Sequence, residues 1–420
     1  MNILVLVKGG REHALVRALS FSPKVQTLHC APGSEGMRKD CFIHDVDLNS
    51  KEDVGLLIKK LSINLVIIGP EEWLVKGLSD HIRSLGVDVF GPSKVGAQLE
   101  ESKAFAKKFM AKASIPTAQY EEVSSVAEVE KIASQFSPPY VFKVDGLAAG
   151  KGVSICSDKA SLVQAAKDCF EAKKFGESGH RAIVEEFKSG WELSFLVLTN
   201  GQDYEPLPLA QDHQALSDGG MGPNTGGMAV VAPLAIDAKL NEEIHNTIIK
   251  PTVDLLNKEN MDYRGVLFIG LMITEDGPCV IEYNVRFGDP ETQVIMPLLD
   301  GVWAEVFTQV SQGSVPKLNW KPRSIACVVL AAENYPSQPV KGIPIGGDIE
   351  HETAFGYVLH AGTKKESSNK WVTNGGRVLN VVGFGSDQKE SVENSYRMVE
   401  NISWPGMQYR SDIGKGFLER

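Results

Sequence analysis

The amino-acid sequence predicts a multidomain protein of mixed α/β and α+β class. At 420 residues the chain is too long for a single hydrophobic core. The apolar run Asn2–Val7, followed by a glycine pair and a helical pattern, is typical of a parallel sheet with crossover helices. Pro316 and Pro322 mark a linker. We therefore expect an N-terminal domain with an open parallel sheet, a central domain with an inserted block at about 117–190, and a small C-terminal α+β domain, at residues 1–102, 103–320 and 321–420.

Strand and helix patterns alternate through the N-terminal domain. After the first strand, strands are predicted at residues 25–30, 64–69 and 87–91, and helices at 11–19, 52–61 and 75–85. Ligands of open parallel sheets bind beyond the carboxyl ends of the strands. The turns Gly9–His13 and Gly69–Glu71 fall at such ends. A nicotinamide cofactor is disfavoured, because the first turn lacks the Gly-x-Gly-x-x-Gly pattern.

Composition and charge exclude several classes of partner. The formal net charge of -10 and the lack of a long basic block argue against an extended nucleic-acid or anionic-membrane surface. The six cysteines include no Cys-x-x-Cys pair, which favours free thiols in a reducing compartment over disulfides or zinc. No basic leader is visible, and no apolar stretch is long enough to span a bilayer. We expect a cytoplasmic monomer without nucleic-acid or membrane partners.

A glycine-rich loop in the inserted block is suited to phosphate. The predicted strand Tyr140–Val144 carries Lys143 and leads into Asp145–Gly152. This is not a Walker A loop, since only three residues separate Gly146 from Gly150-Lys151 and Gly152 follows. Small residues still let backbone N–H groups approach an anion, and the lysines add charge. An ordinary glycine turn is the alternative, whereas a strand-turn-strand arrangement without a following helix favours a mobile flap.

The rest of the central and C-terminal domains shows further regular patterns and one long loop. Strands are predicted at residues 181–187, 191–198, 266–274, 278–284, 323–332, 356–360 and 372–382, with helices at 102–112, 240–257 and 388–400. The glycine-rich stretch Ser217–Met228 is long enough to be either functional or disordered.

One strand end carries a pattern of polar residues that favours a metal-nucleotide site. Successive strand side chains point to opposite faces, so Glu282, Asn284 and Arg286 project together while Tyr283 and Val285 face the other way. A carboxylate and an amide oxygen suit magnesium, and an adjacent guanidinium suits an anionic group. The alternative is an edge strand with a solvated polar face.

Eight segments together resemble the phosphoribosylamine-glycine ligase family of the ATP-grasp superfamily over essentially the whole chain. Each segment alone would be weak, but their order and spacing are highly specific. They are Gly9–Ala14, Gly69–Glu71, Ser102–Phe105, Lys143 with Asp145–Gly152, Gly222–Met228, Arg286–Gln293, His360–Thr363 and Asn374–Val378.

The resemblance implies an ATP-grasp core with an inserted lid, and ATP bound between them. It implies that the enzyme joins glycine to 5-phosphoribosylamine in purine synthesis, with release of ADP and phosphate. The implied catalytic residues are Arg286, Lys143 and Asp212. The implied ATP-binding residues are Lys103, Lys143, Gly150, Lys151, Gly152, Glu185, Phe187 and Glu192. The implied substrate-binding residues are Gly10, Arg11, Glu12, Glu71, Asn224, Thr225, Gly226, Asp289 and Arg377, and the implied ligands of Mg²⁺ or Mn²⁺ are Glu282 and Asn284.

Three segments depart from the family pattern. Val7 and Lys8 replace Gly-Asn or Gly-Ser, Gln214 and Ala215 replace Lys-Arg, and Ala229–Ala232 replaces Gly-Ala-Tyr-Ser. All three fall where the amine and glycine subsites are expected, so ATP use is better supported than the acceptor. The alternatives are an ATP-grasp ligase with another amine and a catalytically silent nucleotide-binding regulator. Because Arg377 and Lys8 can supply cations, we predict that phosphoribosylamine remains the acceptor.

Overall fold

The computed structural model describes residues 1–148, 152–350 and 352–414. In chain order, the N-terminal elements are β1 (Asn2–Val7), α1 (Gly10–Ser20), β2 (Thr27–Pro32), β3 (Phe42–Ile43), α2 (Lys51–Lys60), β4 (Leu65–Ile68), α3 (Glu71–Val75), α4 (Leu78–Ser84), β5 (Asp88–Phe90) and α5 (Lys94–Glu101). The strands form the predicted open sheet, in the order β3-β2-β1-β4-β5 with every pairing parallel. The carboxyl ends of β1 and β4 therefore lie side by side, and each strand leads into a helix.

Two details of this domain differ from the sequence prediction. The single helix expected at 75–85 is divided into α3 and α4 by Gly77, which has a left-handed φ of 75°. Such a conformation suits glycine and interrupts a right-handed helix. Helix α5 was not predicted, although Ser93 caps it by accepting a hydrogen bond from the Gly96 N–H.

The inserted block forms a separate antiparallel sheet with its own core. It follows α6 (Lys103–Lys112) and consists of β6 (Tyr120–Val123), α7 (Val126–Ile132), β7 (Tyr140–Val144), β8 (Val153–Cys156), α8 (Lys159–Phe170) and β9 (Ala182–Glu186). The strand order is β6-β9-β7-β8. Phe142, Leu162 and Val184 are among the buried residues that join this sheet to its two helices. The expected strand-turn-strand arrangement is present, since β7 pairs antiparallel with β8.

The remaining central elements contribute to two different sheets. They are β10 (Trp191–Thr199), β11 (Tyr204–Pro206), β12 (Gln211–Asp212), β13 (Ala215–Ser217), β14 (Met221–Asn224), β15 (Ala229–Ala232), α9 (Ala238–Ile244), α10 (Lys250–Lys258), β16 (Gly265–Thr274), β17 (Gly277–Asn284), α11 (Glu291–Ile295) and α12 (Trp303–Ser311). One sheet has the order β11-β10-β16-β17. The stretch Ser217–Met228, expected as a loop, contains the last residue of β13, the hairpin turn and all of β14.

The C-terminal region completes a six-stranded sheet. Its elements are β18 (Ser324–Ala331), β19 (Gly346–Gly347), β20 (Glu352–Thr353), β21 (Gly356–His360), β22 (Thr363–Lys365), β23 (Trp371–Thr373), β24 (Arg377–Gly385), α13 (Gln388–Val399) and β25 (Ile402–Ser403). The sheet order is β12-β15-β18-β24-β21-β20, so two strands that precede residue 320 belong to it. The single strand expected at 372–382 is divided into β23 and β24. Between them the backbone of Gly375 packs so closely on Gly362 that a Cβ on Gly362 would lie 2.6 Å from the Gly375 Cα.

None of the described helices is both long enough and apolar enough to cross a membrane.

Candidate active site

A cleft of about 500 Å³ lies where the three domains and the inserted block meet. Arg11 and Glu71 reach it from the first turns of α1 and α3 in the N-terminal domain, Lys143 from the inserted block, and Arg377 from the C-terminal sheet. The other residues that were predicted as site residues and line this cleft are Lys103, Gly152, Glu185, Phe187, Glu192, Asp212, Asn224, Thr225, Gly226, Glu282, Asn284, Arg286 and Asp289.

Of the other four predicted site residues, two lie outside the described residues and two lie beside the cleft without lining it. Gly150 and Lys151 lie outside the described residues. Glu12 is buried, and its carboxylate accepts a hydrogen bond of 2.7 Å from the Arg11 Nε. Gly10 is also buried, and a Cβ there would lie 2.3 Å from the Asn380 amide nitrogen. Gly10 and Glu12 therefore support the turn after β1 from behind.

The end of β17 presents the expected polar face. Asn284 donates to the Glu282 carboxylate at 3.3 Å and accepts from Arg286 at 3.0 Å. Tyr283 and Val285 are buried in the core on the opposite face. The strand alternation predicted from the sequence is present, although β17 ends at Asn284 and Arg286 lies beyond it.

Two carboxylates from the N-terminal domain hold Arg286. Its Nε donates to Glu71 at 3.1 Å, and its Nη2 lies 2.9 Å from the Glu100 carboxylate. Burial raises the pKa of Glu100 to about 7, despite the attraction of Arg286. The sequence interpretation missed Glu100, because it lies on the unpredicted helix α5.

A buried charge network joins the inserted block to α6. The Glu185 carboxylate forms ion pairs with Lys143, whose Nζ lies 2.8 Å away, and with Lys107, whose Nζ lies 3.0 Å away. Burial acts to raise the pKa of Glu185, but the two lysines outweigh it and the pKa is lowered. Burial lowers the pKa of Lys107. The sequence interpretation also missed Lys107, although it lies four residues after Lys103, the spacing that puts two residues on one helical face.

The opposite end of the cleft is held by Arg377. Its guanidinium donates to the carbonyl oxygens of Gly226 and Asp289, both at 2.6 Å, and pairs with the Asp289 carboxylate at 3.0 Å. Gln293 donates a further hydrogen bond to Asp289 at 2.7 Å. Burial acts to raise the pKa of Asp289, but Arg377 lowers it overall.

Three carboxylates, of which only Glu291 is fully buried, lie between the two ends. Asp212 comes from β12 and Glu291 from the start of α11. Burial, with the neighbouring Glu291, raises the pKa of Asp212 well above its usual range. Burial also raises the pKa of Glu291, which accepts from the Ser194 hydroxyl at 2.9 Å. Glu192 has a raised pKa because of burial and the charge of Glu282.

The segments that depart from the family pattern lie near the Arg377 end. Lys8 is exposed, and Gln214 lines the cleft. Ala229–Ala232 is the wholly buried strand β15, which pairs with β12 and so fixes the strand that carries Asp212. The apolar residues of this segment are thus explained by their burial within the six-stranded sheet.

The donors at β17 fit a magnesium-type ion that is shared with a nucleotide. Among the described residues, no group of three or more His, Cys, Asp or Glu could hold a metal alone. Mg²⁺ is commonly bound through one or two carboxylates, with phosphate and water oxygens completing its shell. Glu282 and Asn284 supply two such oxygens in the cleft.

Comparisons with known proteins point to one family along the whole chain. Residues 1–100, 101–292 and 325–416 match the N, ATP-grasp (A) and C domains of phosphoribosylglycinamide synthetase. The chain is 40% identical over 424 residues to phosphoribosylamine-glycine ligase of Neisseria meningitidis serogroup B, with 100% of both chains covered. It is 42% identical over 420 residues to the Streptomyces coelicolor enzyme of the same name, with 98% of both covered.

Solved structures show the same fold. The crystal structure of phosphoribosylamine-glycine ligase from Thermotoga maritima matches with a TM-score of 0.86 and 33% identity, covering 98% of this chain and 100% of that one. A biotin carboxylase domain from Hydrogenobacter thermophilus, solved with MgADP, shares the fold at a TM-score of 0.76 and 17% identity, covering 97% and 91%. The chain therefore belongs to the phosphoribosylglycinamide synthetase family of ATP-grasp ligases.

Proposed function

We propose that this chain is the ATP-dependent ligase that joins glycine to 5-phosphoribosylamine in de novo purine biosynthesis. The products are glycinamide ribonucleotide, ADP and phosphate. The observation that carries the proposal is the arrangement of Glu282, Asn284 and Arg286 side by side in the cleft that Lys143 also lines. The family uses ATP with a divalent metal, and Mg²⁺ or Mn²⁺ is the ion that these oxygen donors suit.

The nucleotide lies at the end of the cleft formed by the inserted block, α6 and β17. Phe187 is 38% exposed and lines the cleft, so its ring is available to an adenine. Glu185 and the backbone after it hold the base, and Glu192 accepts from a ribose hydroxyl. Lys103 and Lys143 contact the phosphates. Glu282 and Asn284 would hold the metal, which would neutralise charge on the transferred phosphoryl group.

The chemistry requires an activated carboxylate. Glycine is a poor electrophile because hydroxide is a poor leaving group. Its carboxylate oxygen attacks the γ-phosphorus of ATP, the bond to the β-phosphate oxygen breaks, and glycyl phosphate and ADP form. The amine nitrogen of phosphoribosylamine then attacks the acyl carbon, and inorganic phosphate leaves with the C–O bonding pair. Arg286, fixed by Glu71 and Glu100, stabilises the negative charge that develops on the phosphoryl oxygens.

The attacking amine must lose a proton, and in this proposal Asp212 accepts it. A carboxylate whose pKa is raised is a stronger base than an ordinary one. Burial beside Glu291 raises the pKa of Asp212. Asp212 also lies between the nucleotide end and Arg377, where the two substrates meet.

The acceptor occupies the end near Arg377. Arg11, Glu71, Asn224, Thr225, Gly226 and Asp289 line this end with it. A guanidinium can grip a phosphate with two donors, and backbone N–H groups of glycine turns add contacts. Arg377 already bonds Gly226 and Asp289, so it holds the acceptor loop in place as well as offering charge.

The inserted block acts as a lid over ATP. Asp145, at the end of β7, accepts from the Ser102 hydroxyl at 2.9 Å and from the Ala104 N–H at 2.8 Å, which connects the block to α6. Closure excludes water from the acyl phosphate. Hydrogen exchange at residues 145–148 and 152–153 should slow when a non-hydrolysable nucleotide and metal are added. Unchanged exchange at saturating nucleotide would contradict closure.

ADP release tests the proposed function directly. It is assayed with glycine and with freshly generated phosphoribosylamine, each alone and both together. We expect sustained release only with both. Equal release with glycine and simple amines would favour the ligase with another acceptor, and no release with any amine would favour the silent regulator. The monomeric state and cytoplasmic location stay predictions from the sequence.

A further inference from the structure

The β13–β14 hairpin is fastened by a short segment near the end of the described chain. Asp218, in the hairpin turn, accepts from the Ser411 N–H at 2.8 Å and from the Ser411 hydroxyl. The next residue of the turn, Gly219, donates its N–H to the Asp412 carboxylate at 2.7 Å. Two successive hairpin residues are therefore bonded to two successive residues almost two hundred positions later.

The fastening segment is itself fixed to the C-terminal domain. Arg410 is buried and pairs with Asp412 through two hydrogen bonds of 2.8 and 2.7 Å. Its Nη1 also lies 3.5 Å from the Ala215 carbonyl oxygen, at the start of β13. Tyr396, on α13, donates to the Arg410 carbonyl at 2.7 Å and accepts from the Ile413 N–H at 3.1 Å. The segment thus connects α13 to the hairpin.

The hairpin has little else to hold its turn. All four residues of β14 are exposed. Gly219 and Gly220 both have a φ of 72°, and a Cβ on either would meet no atom within 4 Å. A two-stranded hairpin is marginally stable alone in water. The Arg410–Asp412 segment is therefore in a position to determine where the hairpin lies.

The hairpin leads directly into the acceptor end of the cleft. Gln214, immediately before β13, and Asn224, the last residue of β14, both line the cleft, as do the following Thr225 and Gly226. Thr225 bonds back across the base of the hairpin, donating its N–H to the Gln214 carbonyl at 2.9 Å. A displacement of the turn is thus transmitted to the residues that face the acceptor.

We propose that Asp218 is a positioning residue for phosphoribosylamine, acting through its contact with Ser411 and not by touching a substrate. The proposal rests on the proposed function, since it assigns the hairpin to the acceptor of that reaction. Loss of the contact lets the hairpin turn sample other positions and weakens acceptor binding. ATP binding is unaffected, because Lys143, Glu185 and Glu282 lie on β7, β9 and β17, which do not include the hairpin.

Three variants test the proposal. Asp218→Ala removes both hydrogen bonds to Ser411. Asp218→Asn keeps an oxygen for the Ser411 N–H and offers an amide to the hydroxyl, so it should restore the contact. Glu390→Ala is the matched control, because the exposed Glu390 carboxylate accepts from both the N–H and the hydroxyl of Ser386, at 2.6 and 2.7 Å, away from the cleft.

We expect Asp218→Ala to raise KM for phosphoribosylamine about five- to tenfold, the scale of one or two lost hydrogen bonds, with KM for ATP changed less than about twofold. Hydrogen exchange at residues 215–224 should quicken in the same variant. Asp218→Asn and Glu390→Ala should both resemble the wild type.

Equal effects of Asp218→Ala on both KM values, or unaltered exchange in the hairpin, would overturn the positioning role. An equal rise in KM for phosphoribosylamine in Glu390→Ala would show that the effect of Asp218→Ala is general destabilisation. Failure of the proposed function has a different signature, since the wild-type protein would then form ADP without phosphoribosylamine or form no ADP with any amine. The exchange measurement still decides whether Asp218 orders the hairpin in that case.

Discussion

The two ends of the cleft are built in different ways. At the end proposed for the nucleotide, side chains from strands and from α6 are fixed by buried ion pairs, such as Glu185 between Lys143 and Lys107. At the acceptor end, loops and a hairpin from different domains are held largely through hydrogen bonds to backbone atoms, as between Arg377 and the carbonyls of Gly226 and Asp289.

The difference suits what each end must do. Phosphoryl transfer depends on positioning and charge neutralisation, which a rigid array of charges provides. The acceptor end must admit a second substrate after the acyl phosphate forms, which a set of loops permits. Of the segments that the sequence interpretation marked as departing from the family pattern, Gln214 lines the cleft and Ala229–Ala232 pairs with the strand that carries Asp212.

The largest effect is expected from Glu282→Gln at the nucleotide end. Loss of one negative metal ligand leaves phosphate charge poorly neutralised, so kcat should fall by about a thousandfold or more, on the order of 4 kcal/mol in the barrier. Turnover is measured at saturating ATP and ordinary magnesium. The control is Glu275→Gln, an exposed residue in the turn between β16 and β17. Near-normal activity of the first variant would refute the metal assignment.

Arg377→Ala should act on the acceptor end alone. Its guanidinium contacts the carbonyl oxygens of Gly226, Gly227 and Asp289 and the Asp289 carboxylate, so its loss both frees the Gly226 loop and removes a phosphate donor. We expect KM for phosphoribosylamine to rise about ten- to a hundredfold, the scale of a charged hydrogen-bond network, with KM for ATP little changed. Arg397→Ala, an exposed arginine on α13, is the control. Parallel rises in both KM values would show that the two ends are not independent. Lys8→Gly should cost less, because Lys8 is exposed.

Sequence reasoning predicted the side-chain geometry at the proposed nucleotide end better than the contacts at the proposed acceptor end. The alternation of Glu282, Asn284 and Arg286 follows from strand geometry, which is local. Lys107 was accessible by the same kind of argument, from its helical spacing to Lys103. Both arrangements depend on residues close together in the chain.

The acceptor end depends on contacts that no local pattern encodes. The bond between Asp218 and Ser411 spans 193 positions, and Arg377 reaches Asp289 across 88. Glycine-rich composition signalled a loop at 217–228, but the hairpin there is specified partly by the distant Arg410–Asp412 segment. Two strands of the C-terminal sheet likewise come from before residue 320.

The support of Arg286 by Glu100 predicts a pH-dependent stability. Burial raises the pKa of Glu100 from 4.5 to about 7. Between pH 4.5 and about 7, the folded state therefore keeps a proton on Glu100 that the unfolded state has released. The stability that this proton provides is fully present below pH 4.5 and is lost as pH rises through about 7, a difference of at most about 3 kcal/mol.

Glu100→Gln removes this titration. Relative to the wild type, the variant should gain unfolding free energy between about pH 5 and pH 8, because glutamine carries no charge that must be buried. Urea unfolding of both proteins at about pH 5 and at about pH 8 gives the difference between their unfolding free energies at each pH. Gln in place of the exposed Glu52 is the control and should show no such gain. If the unfolding free energy of Glu100→Gln relative to the wild type is the same at both pH values, the raised pKa of Glu100 is contradicted.

The smallest effect is expected at Val7, the last residue of β1, just before the turn that leads to Arg11. Val7 has a φ of 84°, where a β-branched side chain is strained by about 1–3 kcal/mol. Its partly buried side chain packs against the N-terminal core, and its carbonyl oxygen accepts from the Cys30 thiol at 3.2 Å. Lost packing and the added freedom of glycine in the unfolded chain cost about as much as relief of strain gains, so Val7→Gly should change stability by less than about 1 kcal/mol.

Val7→Ala separates these contributions. Alanine loses most of the packing but keeps a Cβ, so much of the strain remains. At an ordinary strand position glycine is less stable than alanine by roughly 0.5–1 kcal/mol. At Val7 we expect the reverse order, with Val7→Gly more stable than Val7→Ala by about 1 kcal/mol in urea unfolding. KM values for all three substrates should stay near wild type in the glycine variant, which carries the residue that the family pattern has there. If alanine proves the more stable substitution, the left-handed conformation is not what limits this turn.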